Sequence, residues 1–545
     1  MRKILPRRAK LPLLALVSCA ALLRWFYLLE VSQAPNFTTP YPGLDAAMYG
    51  ELAARIAGGD LLLEPYPYYY SALYAYFLAL FQAIWGLDSW LAPLANVILG
   101  SVSVLFIFHY SHSFFHEKRI ASITASVAAC YGPFIVFDTS SLKTTLGLFL
   151  ISASLLLLSH SRKPTGCIKW LIIGLLLGLA ANLAPQLTLF ILTLAALLLA
   201  GLGIPRIGHW FFPDLQRSFQ KLFTLLGFLA GVLLAVLPFA LRNHAVTGEW
   251  IFGNCTGGLH FYIGNHTRAW GGYSRLPGIR PNPAGHFFDA KKQAERQAGR
   301  PLSYSETERY WKQRTVKEIY SKPETFLKLL GKKLLLIISP YEIPNNENYQ
   351  YLQERSRILP FLPGAGIVLP FCFAGWFFGM YTRRGPPLLH VYNICLFLAL
   401  LFSLVTWRYS LPLLLGLLPF AGLLLSEMIQ GFRKGNNLRW CFPVVLIFIF
   451  WVAGHLHPVA AEHGQDDLRR AEMKMSVSRQ ILELNKRLGN IPKTGSKERV
   501  ITWLRITHTY ERQGDIEGAL RKVEAALKEA PQDKRLLRYR QSLLH

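Results

Sequence analysis

Charge is scarce in this sequence. Asp, Glu, Lys and Arg make up 17% of its 545 residues, while 52% are hydrophobic. A soluble chain of this length carries more charge than that, so a freely soluble globule is excluded. Acids are the scarcer sign, 32 against 58 Lys and Arg. Cysteine is sparse too. The seven (Cys19, Cys130, Cys167, Cys255, Cys372, Cys395, Cys441) fall singly, mostly in apolar runs. This excludes a disulfide framework and zinc-ligand spacing. No P-loop is present, which removes the usual signature of nucleotide binding.

What the chain does have is apolar runs near the length of about 20 residues that crosses a bilayer. They fall at Leu11–Leu29, Trp90–Tyr110, Ile120–Phe137, Thr144–Leu158, Ile168–Asn182, Pro185–Gly203, Lys221–Leu241, Pro360–Met380, Leu388–Thr406, Tyr409–Ile429 and Trp440–Leu456. The expected fold class is therefore all-α: a polytopic transmembrane protein of about 11 spans. The first run follows a basic start, MRKILPRRAK. It reads as a retained signal anchor, because the apolar stretch continues past Cys19.

The net charge of +26 invites a nucleic-acid reading. The placement of the charge argues for topology instead. Tyr68–Gly86 is apolar enough to be a twelfth span. If it does not cross, alternate loops collect 18 basic residues against two acids, Glu117 and Asp214. Those loops are residues 1–10, 111–120, 161–169 with Arg162 and Lys163, 204–221 with Arg217, 381–387 and 430–439. That is a positive-inside pattern. Tyr68–Gly86 is then a juxtamembrane or re-entrant helix. The N-terminus is cytoplasmic, and the loops 30–89 and 242–359 and the C-terminus face outward.

Residues 1–456 are expected to form the membrane domain and 457–545 a helical tail. In the tail, Trp503, Tyr510, Gly514, Ala519, Ala526 and Pro531 match the tetratricopeptide consensus at about 500–533. A single repeat buries little, so it packs on its neighbours or on a protein partner.

The first outward loop carries YPGLDAAMYGELAARIAGGD, Tyr41–Asp60. Leu44, Met48, Leu52 and Ile56 recur every fourth residue, which predicts an amphipathic helix over Asp45–Ala57. Asp45 at its head fits a general base or a metal ligand. It fits a helix N-cap as well. Tyr49, one turn on, is a candidate substrate contact. The second outward turn, YGPFIVFDTSSLKTT, holds Asp138 and Lys143. Ionisable groups there are costly and often functional, although capping and snorkelling also explain them.

The long loop opens with a glycine-rich stretch. Its Arg268 fits phosphate binding, and His260, Tyr262 and Asn265 fit substrate contacts. Glu342 lies farther on, in YEIPNNENY. Arg408, in the short turn Trp407–Tyr409, sits where it would meet a lipid phosphate or simply anchor the span end.

In order and spacing, five stretches resemble the GT-C superfamily of integral-membrane glycosyltransferases. The nearest likeness is to the protein O-mannosyltransferase and aminoarabinose-transferase group. The stretches are AAMYGELAARIAGGD, YYYSALYAYFLALFQAIWGLDSWLAPLANVILG, YGPFIVFDTSSLKTTLGLFL, RNHAVTGEWIFGN and WRYSLPLLLGLLPFAG. The resemblance implies a polyprenyl-phosphate-linked sugar donor and inverting transfer on the outer face of a bacterial membrane. It matches Asp45 to the family's catalytic acid and Asp138 to a second acid. It matches Arg408 to a late basic residue that would hold the leaving phosphate, beside which Lys143 and Arg268 are further candidates for the donor phosphate. Ala46 stands where protein mannosyltransferases have a second acid, so lipid and glycan acceptors stay open beside protein. Metal dependence stays open too, with a divalent ion as the candidate cofactor. Two other readings are a lipid or glycan transporter and a scaffold working through its tail. A transporter should show half-chain repeats and mid-span charges. Here the spans are almost free of charge apart from Arg24.

Overall fold

The structure is a computed structural model. It describes residues 7–86, 90–160, 167–204, 206, 210–211, 218–435, 437–456, 459–492 and 497–544. The loop residues Arg162, Lys163, Asp214 and Arg217 lie outside these. Among the described residues every regular element is a helix.

Each predicted span holds a helix, and one holds a bent pair. Helix α1 is Arg7–Val31. The amphipathic helix α2 covers Asp45–Ala57, and α3 covers Ala72–Trp85. Then come α4 (Leu91–Phe115), α5 (Lys118–Cys130), α6 (Gly132–Asp138) and α7 (Thr144–Ser159). Helices α8 (Cys167–Leu183), α9 (Leu187–Gly203) and α10 (Ser218–Thr247) complete the first half. Among the described residues, five helices are long and apolar enough to cross a membrane: Pro12–Val31, Leu91–Phe115, Gln220–Thr247, Leu359–Tyr381 and Trp407–Arg433. The protein is an integral membrane protein, and shorter apolar helices fill the bundle between these five.

The span expected at Ile120–Phe137 is broken. Helices α5 and α6 bend by 58° at Tyr131. Pro133 near the start of α6 lacks the N–H that a continuing helix needs. The Gly132 N–H turns instead to the Pro363 carbonyl, 3.1 Å away. Helix α3, at 14 residues, reaches only about 21 Å and packs along α2.

The long loop folds into helices of its own. They are α11 (Gly257–Asn265), α12 (Ala290–Ala298), α13 (Tyr304–Ser321) and α14 (Pro323–Ile338). Helix α13 starts in a reciprocal cap: Ser303 accepts from the Glu306 N–H, and Glu306 accepts from the Ser303 N–H. Leu259, Ile263, Ala294 and Trp311 form the loop's small core. The chain then passes through α15 (Tyr349–Arg355), α16 (Ala365–Tyr381), α17 (Pro387–Phe402), α18 (Trp407–Arg433) and α19 (Asn437–His455). The tail is α20 (Val459–Asn490), α21 (Lys497–Arg512), α22 (Ile516–Glu529) and α23 (Lys534–Leu544). Its core centres on Ile481, Ile506, Ala519, Val523 and Leu536, all fully buried.

The bundle has two distinct ends. At one, Arg384 bridges Glu117, at 2.6 Å, and Glu427, joining two loops from the basic set. At the other, Arg242 at the end of α10 donates to the carbonyls of Leu62, Leu63 and Tyr66 in the first loop. The loops that the charge pattern separated from the basic set are thus gathered at one end.

Candidate active site

At that second end lies a cavity of about 1000 Å³. Helix α2, the residue before α7, helix α11, the asparagine-rich stretch 345–348, the start of α18 and the tail all line it. Its walls carry six cationic side chains (Lys143, Arg268, Arg275, Arg408, Arg470, Lys474) against three acids (Asp45, Glu347, Asp467). Such a lining favours an anionic ligand.

The centre of the site is an ion pair between elements 363 residues apart. Arg408 Nη1 donates to Asp45 Oδ2 at 2.8 Å. The Asn346 side-chain amide donates to the same oxygen, also at 2.8 Å. The cap of α2 is Leu44, with no side-chain bond, so Asp45 does not serve as the helix N-cap. Burial alone would raise the Asp45 carboxyl. Arg408, Lys143 and the Asn346 amide outweigh it and hold the carboxyl below its usual value. Asp45 Oδ1 receives no hydrogen bond among the described residues. The Nε of Arg408 is buried and also lacks a partner there. A buried guanidinium N–H without an acceptor is costly, and a phosphate oxygen would satisfy it.

Lys143 Nζ donates to Ser71 Oγ at 2.5 Å. Burial, with Arg408 adding repulsion, brings its ammonium down to about 7, against the opposing pull of Asp45. Tyr49 is buried and lines the cavity. His260 also lines it, its ring edge-on to that of His286 at 5.2 Å. Burial brings His260 down to about 4 and His286 to about 3, so both are neutral at pH 7. His286 meets the Tyr273 hydroxyl at 2.8 Å. Arg268 lines the cavity with an exposed guanidinium.

Four candidates lie away from the cavity wall. Asp138 is buried in the bundle, where Arg24 Nε donates to Oδ2 at 2.7 Å and Thr145 Oγ1 to Oδ1 at 2.8 Å. Both its carboxylate oxygens are thus taken by Arg24 and Thr145, and the structure does not bring it together with Asp45 at the cavity. Tyr262 donates to Glu318 at 2.9 Å and packs on Trp311 inside the loop domain. Asn265 binds the Phe402 carbonyl at 3.0 Å and accepts from Lys333 at 2.7 Å, tying the loop to α17. Glu342 accepts from the Ala365 N–H at 2.7 Å and caps α16. These three bond to the scaffold and do not line the cavity.

Sequence reasoning missed Asn346, Arg275, His286 and the tail residues of the wall. The run of asparagines at Asn345, Asn346 and Asn348 was the available signal. Residue type alone does not say that one of them faces Asp45. For a divalent ion, no group of three or more His, Cys, Asp or Glu side chains converges among the described residues. The donor set does not fit such an ion, since Asp45 is matched to a guanidinium and not to further acids.

No protein-family model matches the chain, and no curated protein matches it. Solved structures do. The archaeal oligosaccharyltransferase AglB from Archaeoglobus fulgidus, in complex with an inhibitory peptide and a dolichol-phosphate, is 14% identical with a TM-score of 0.44. That match covers 89% of this chain and 59% of AglB. The Archaeoglobus fulgidus oligosaccharyltransferase in its apo form is 15% identical at a TM-score of 0.43, covering 81% of this chain and 55% of that one. ArnT from Cupriavidus metallidurans, bound to undecaprenyl phosphate, is 14% identical at a TM-score of 0.31, covering 77% and 79%. This chain spans less than two thirds of the length of the archaeal enzymes.

Proposed function

We propose that the protein is a membrane glycosyltransferase that moves a sugar from a polyprenyl-phosphate donor to a lipid, glycan or protein acceptor on the outer face of the membrane. The observation that supports the reading is the Asp45–Arg408 pair, half satisfied, in the wall of a cation-rich cavity where the first loop, the long loop and the tail meet. The sequence resemblance supplies the donor class.

The chemistry follows from the two groups. The donor phosphate engages Arg408 and Lys143. Phosphate competes with Asp45 for the guanidinium, so binding loosens the pair. Relieved of that cation, the Asp45 carboxylate becomes a stronger base. The acceptor oxygen attacks the anomeric carbon and gives its proton to Asp45. The bond from that carbon to the phosphate oxygen breaks on the opposite face, inverting the centre. Polyprenyl phosphate leaves with its new charge against Arg408 and Lys143. The proton on Asp45 passes to water, and the pair re-forms. No metal is needed in this sequence of steps.

The test is mass spectrometry of envelope glycolipids and polysaccharide from a deletion strain. A glycan should disappear on deletion and return with the wild-type gene, but not with Asp45→Asn made at equal level. Return of the glycan with Asp45→Asn would refute the assignment.

A further inference from the structure

The tail does more than cap the bundle. It is fastened to the active-site end at many points. Tyr341 donates to Asp467 at 2.8 Å, and Arg355 donates to Glu472 at 3.1 Å. The Gly514 carbonyl receives Arg280 at 3.0 Å and Asn282 at 3.2 Å. Tyr41 meets Gln513, and Glu51 on α2 pairs with Arg521. The ring of His463 lies on Trp270 at 4.2 Å. His463, Asp467, Arg470, Lys474 and Gln513 form part of the cavity wall.

One of these contacts leads directly to the catalytic acid. Lys474 Nζ donates to the Asn346 backbone carbonyl at 3.3 Å. The Asn346 side chain donates in turn to Asp45 Oδ2 at 2.8 Å. Asn346 lies in a loop with no helix to fix it, so its amide needs a second hold to stay aimed. Lys474 sits on the 32-residue helix α20, a rigid support.

We propose that the C-terminal tail is an integral part of the active site, and that Lys474 is a positioning residue that orients Asp45 through Asn346. The inference rests on the glycosyltransferase reading given above. It makes the tail a component of catalysis rather than a recruitment module. A chain without α20 would lose one wall of the cavity and the hold on its base.

The experiment uses the full-length chain in membranes of the deletion strain, which hold their own donor and acceptor, with transfer followed by mass spectrometry across pH. Asp45 is faced by Arg408 from α18, by Lys143 before α7 and by Asn346, while the neutral Tyr49 of its own helix and His260 and His286 of the long loop feel its charge. Those groups stay the same in every variant except Asn346→Ala. Lys474→Met should lower the transfer rate about tenfold, the scale of a loosened charged hydrogen bond. It should also move the acid limb of the rate profile upward, because Asp45 loses a donor that favours its charged form. Lys474→Arg should restore both. Asn346→Ala leaves the tail untouched and should reproduce the shift. The double variant should be no worse than either single one. A merely structural role would lower the amount of active protein without moving the limb. Wild-type rate and limb in Lys474→Met, or additive losses in the double variant, would overturn the inference while Asp45→Asn still abolished transfer. Full transfer by Asp45→Asn would instead bring down the underlying reading.

Discussion

Two arginine–aspartate pairs in this bundle share nearly one geometry and have opposite surroundings. Arg24 and Asp138 meet at 2.7 Å with side chains 1% and 4% exposed. Arg408 and Asp45 meet at 2.8 Å with side chains 7% and 18% exposed. In the first pair both carboxylate oxygens have donors, and neither residue lines the cavity. Arg24 also donates to the carbonyls of Ala20 and Ala129, and Thr145 takes the second carboxylate oxygen. Gly100 lies so close to Asp138 that a Cβ there would collide with the carboxylate. In the second pair, among the described residues, Asp45 Oδ1 receives no hydrogen bond and the buried Nε of Arg408 has no acceptor, and both residues line the cavity. An ion pair that is closed on all sides holds helices together. One left half open is poised for a ligand. Chemistry is therefore read from unspent hydrogen-bonding capacity and not from the presence of charge.

Crossing the two acids gives the sharpest contrast. Asp45→Asn should cut transfer by at least about a hundredfold, the range lost with a general base, and lower the melting temperature in detergent less than Asp138→Asn, because its pair is more exposed. Asp138→Asn should do the reverse. It leaves a buried guanidinium short of its counter-charge, a loss of about 3–5 kcal/mol, seen as a large drop in melting temperature and in yield. The protein that survives should keep its turnover. Equal effects of the two substitutions on turnover would dissolve the distinction.

The arginines extend the comparison at a smaller scale. Arg408→Ala should raise the apparent KM for the donor about tenfold. At the opposite end of the bundle, Arg384→Ala breaks only half-exposed pairs with Glu117 and Glu427. It should leave donor dependence unchanged and cost at most about 1 kcal/mol of stability. A change in donor KM from Arg384→Ala would show that effects on binding are not local to the cavity.

The sequence pointed to residues of both pairs and joined neither pair. Asp45, Lys143 and Arg408 are all legible because ions at the mouths of apolar spans are rare and costly. Helix α2 is legible because its apolar residues recur every fourth position. Arg24 and Asp138, 114 residues apart, give no sign of each other in the sequence. Tyr262, Asn265 and Glu342 have the residue types of a sugar site, but their facing is set by how the long loop packs on Trp311, α17 and α16. The break at Tyr131 was written in Gly132-Pro133, inside a run whose hydropathy reads as continuous. Lys474 looks like any charge on a solvated helix until α20 is seen against residues 345–348.

The smallest expected effect tests whether the open pair really loosens on binding. In the resting site the Asp45 carboxyl is held below its usual 3.8, despite its burial, by Arg408, Lys143 and Asn346. The stabilisation from this pair is therefore present above about pH 4. It is lost as pH falls through the lower folded value. The profile of kcat/KM reports the free enzyme, and that of kcat reports the donor-bound form. If phosphate draws Arg408 away, the carboxyl titrates higher when donor is bound, so the acid limb of kcat should lie about one pH unit above that of kcat/KM. In Arg408→Lys, whose compact ammonium cannot serve both anions in the same way, the gap should shrink. Lys143 acts on the other side of the profile. Its ammonium is brought down to about 7, so donor affinity should fall as pH rises through that value, and Lys143→Met should flatten the fall. Acid limbs that coincide in the wild type would mean that Asp45 keeps its arginine throughout the reaction, and a carboxylate so held is too weak a base for the role given to it.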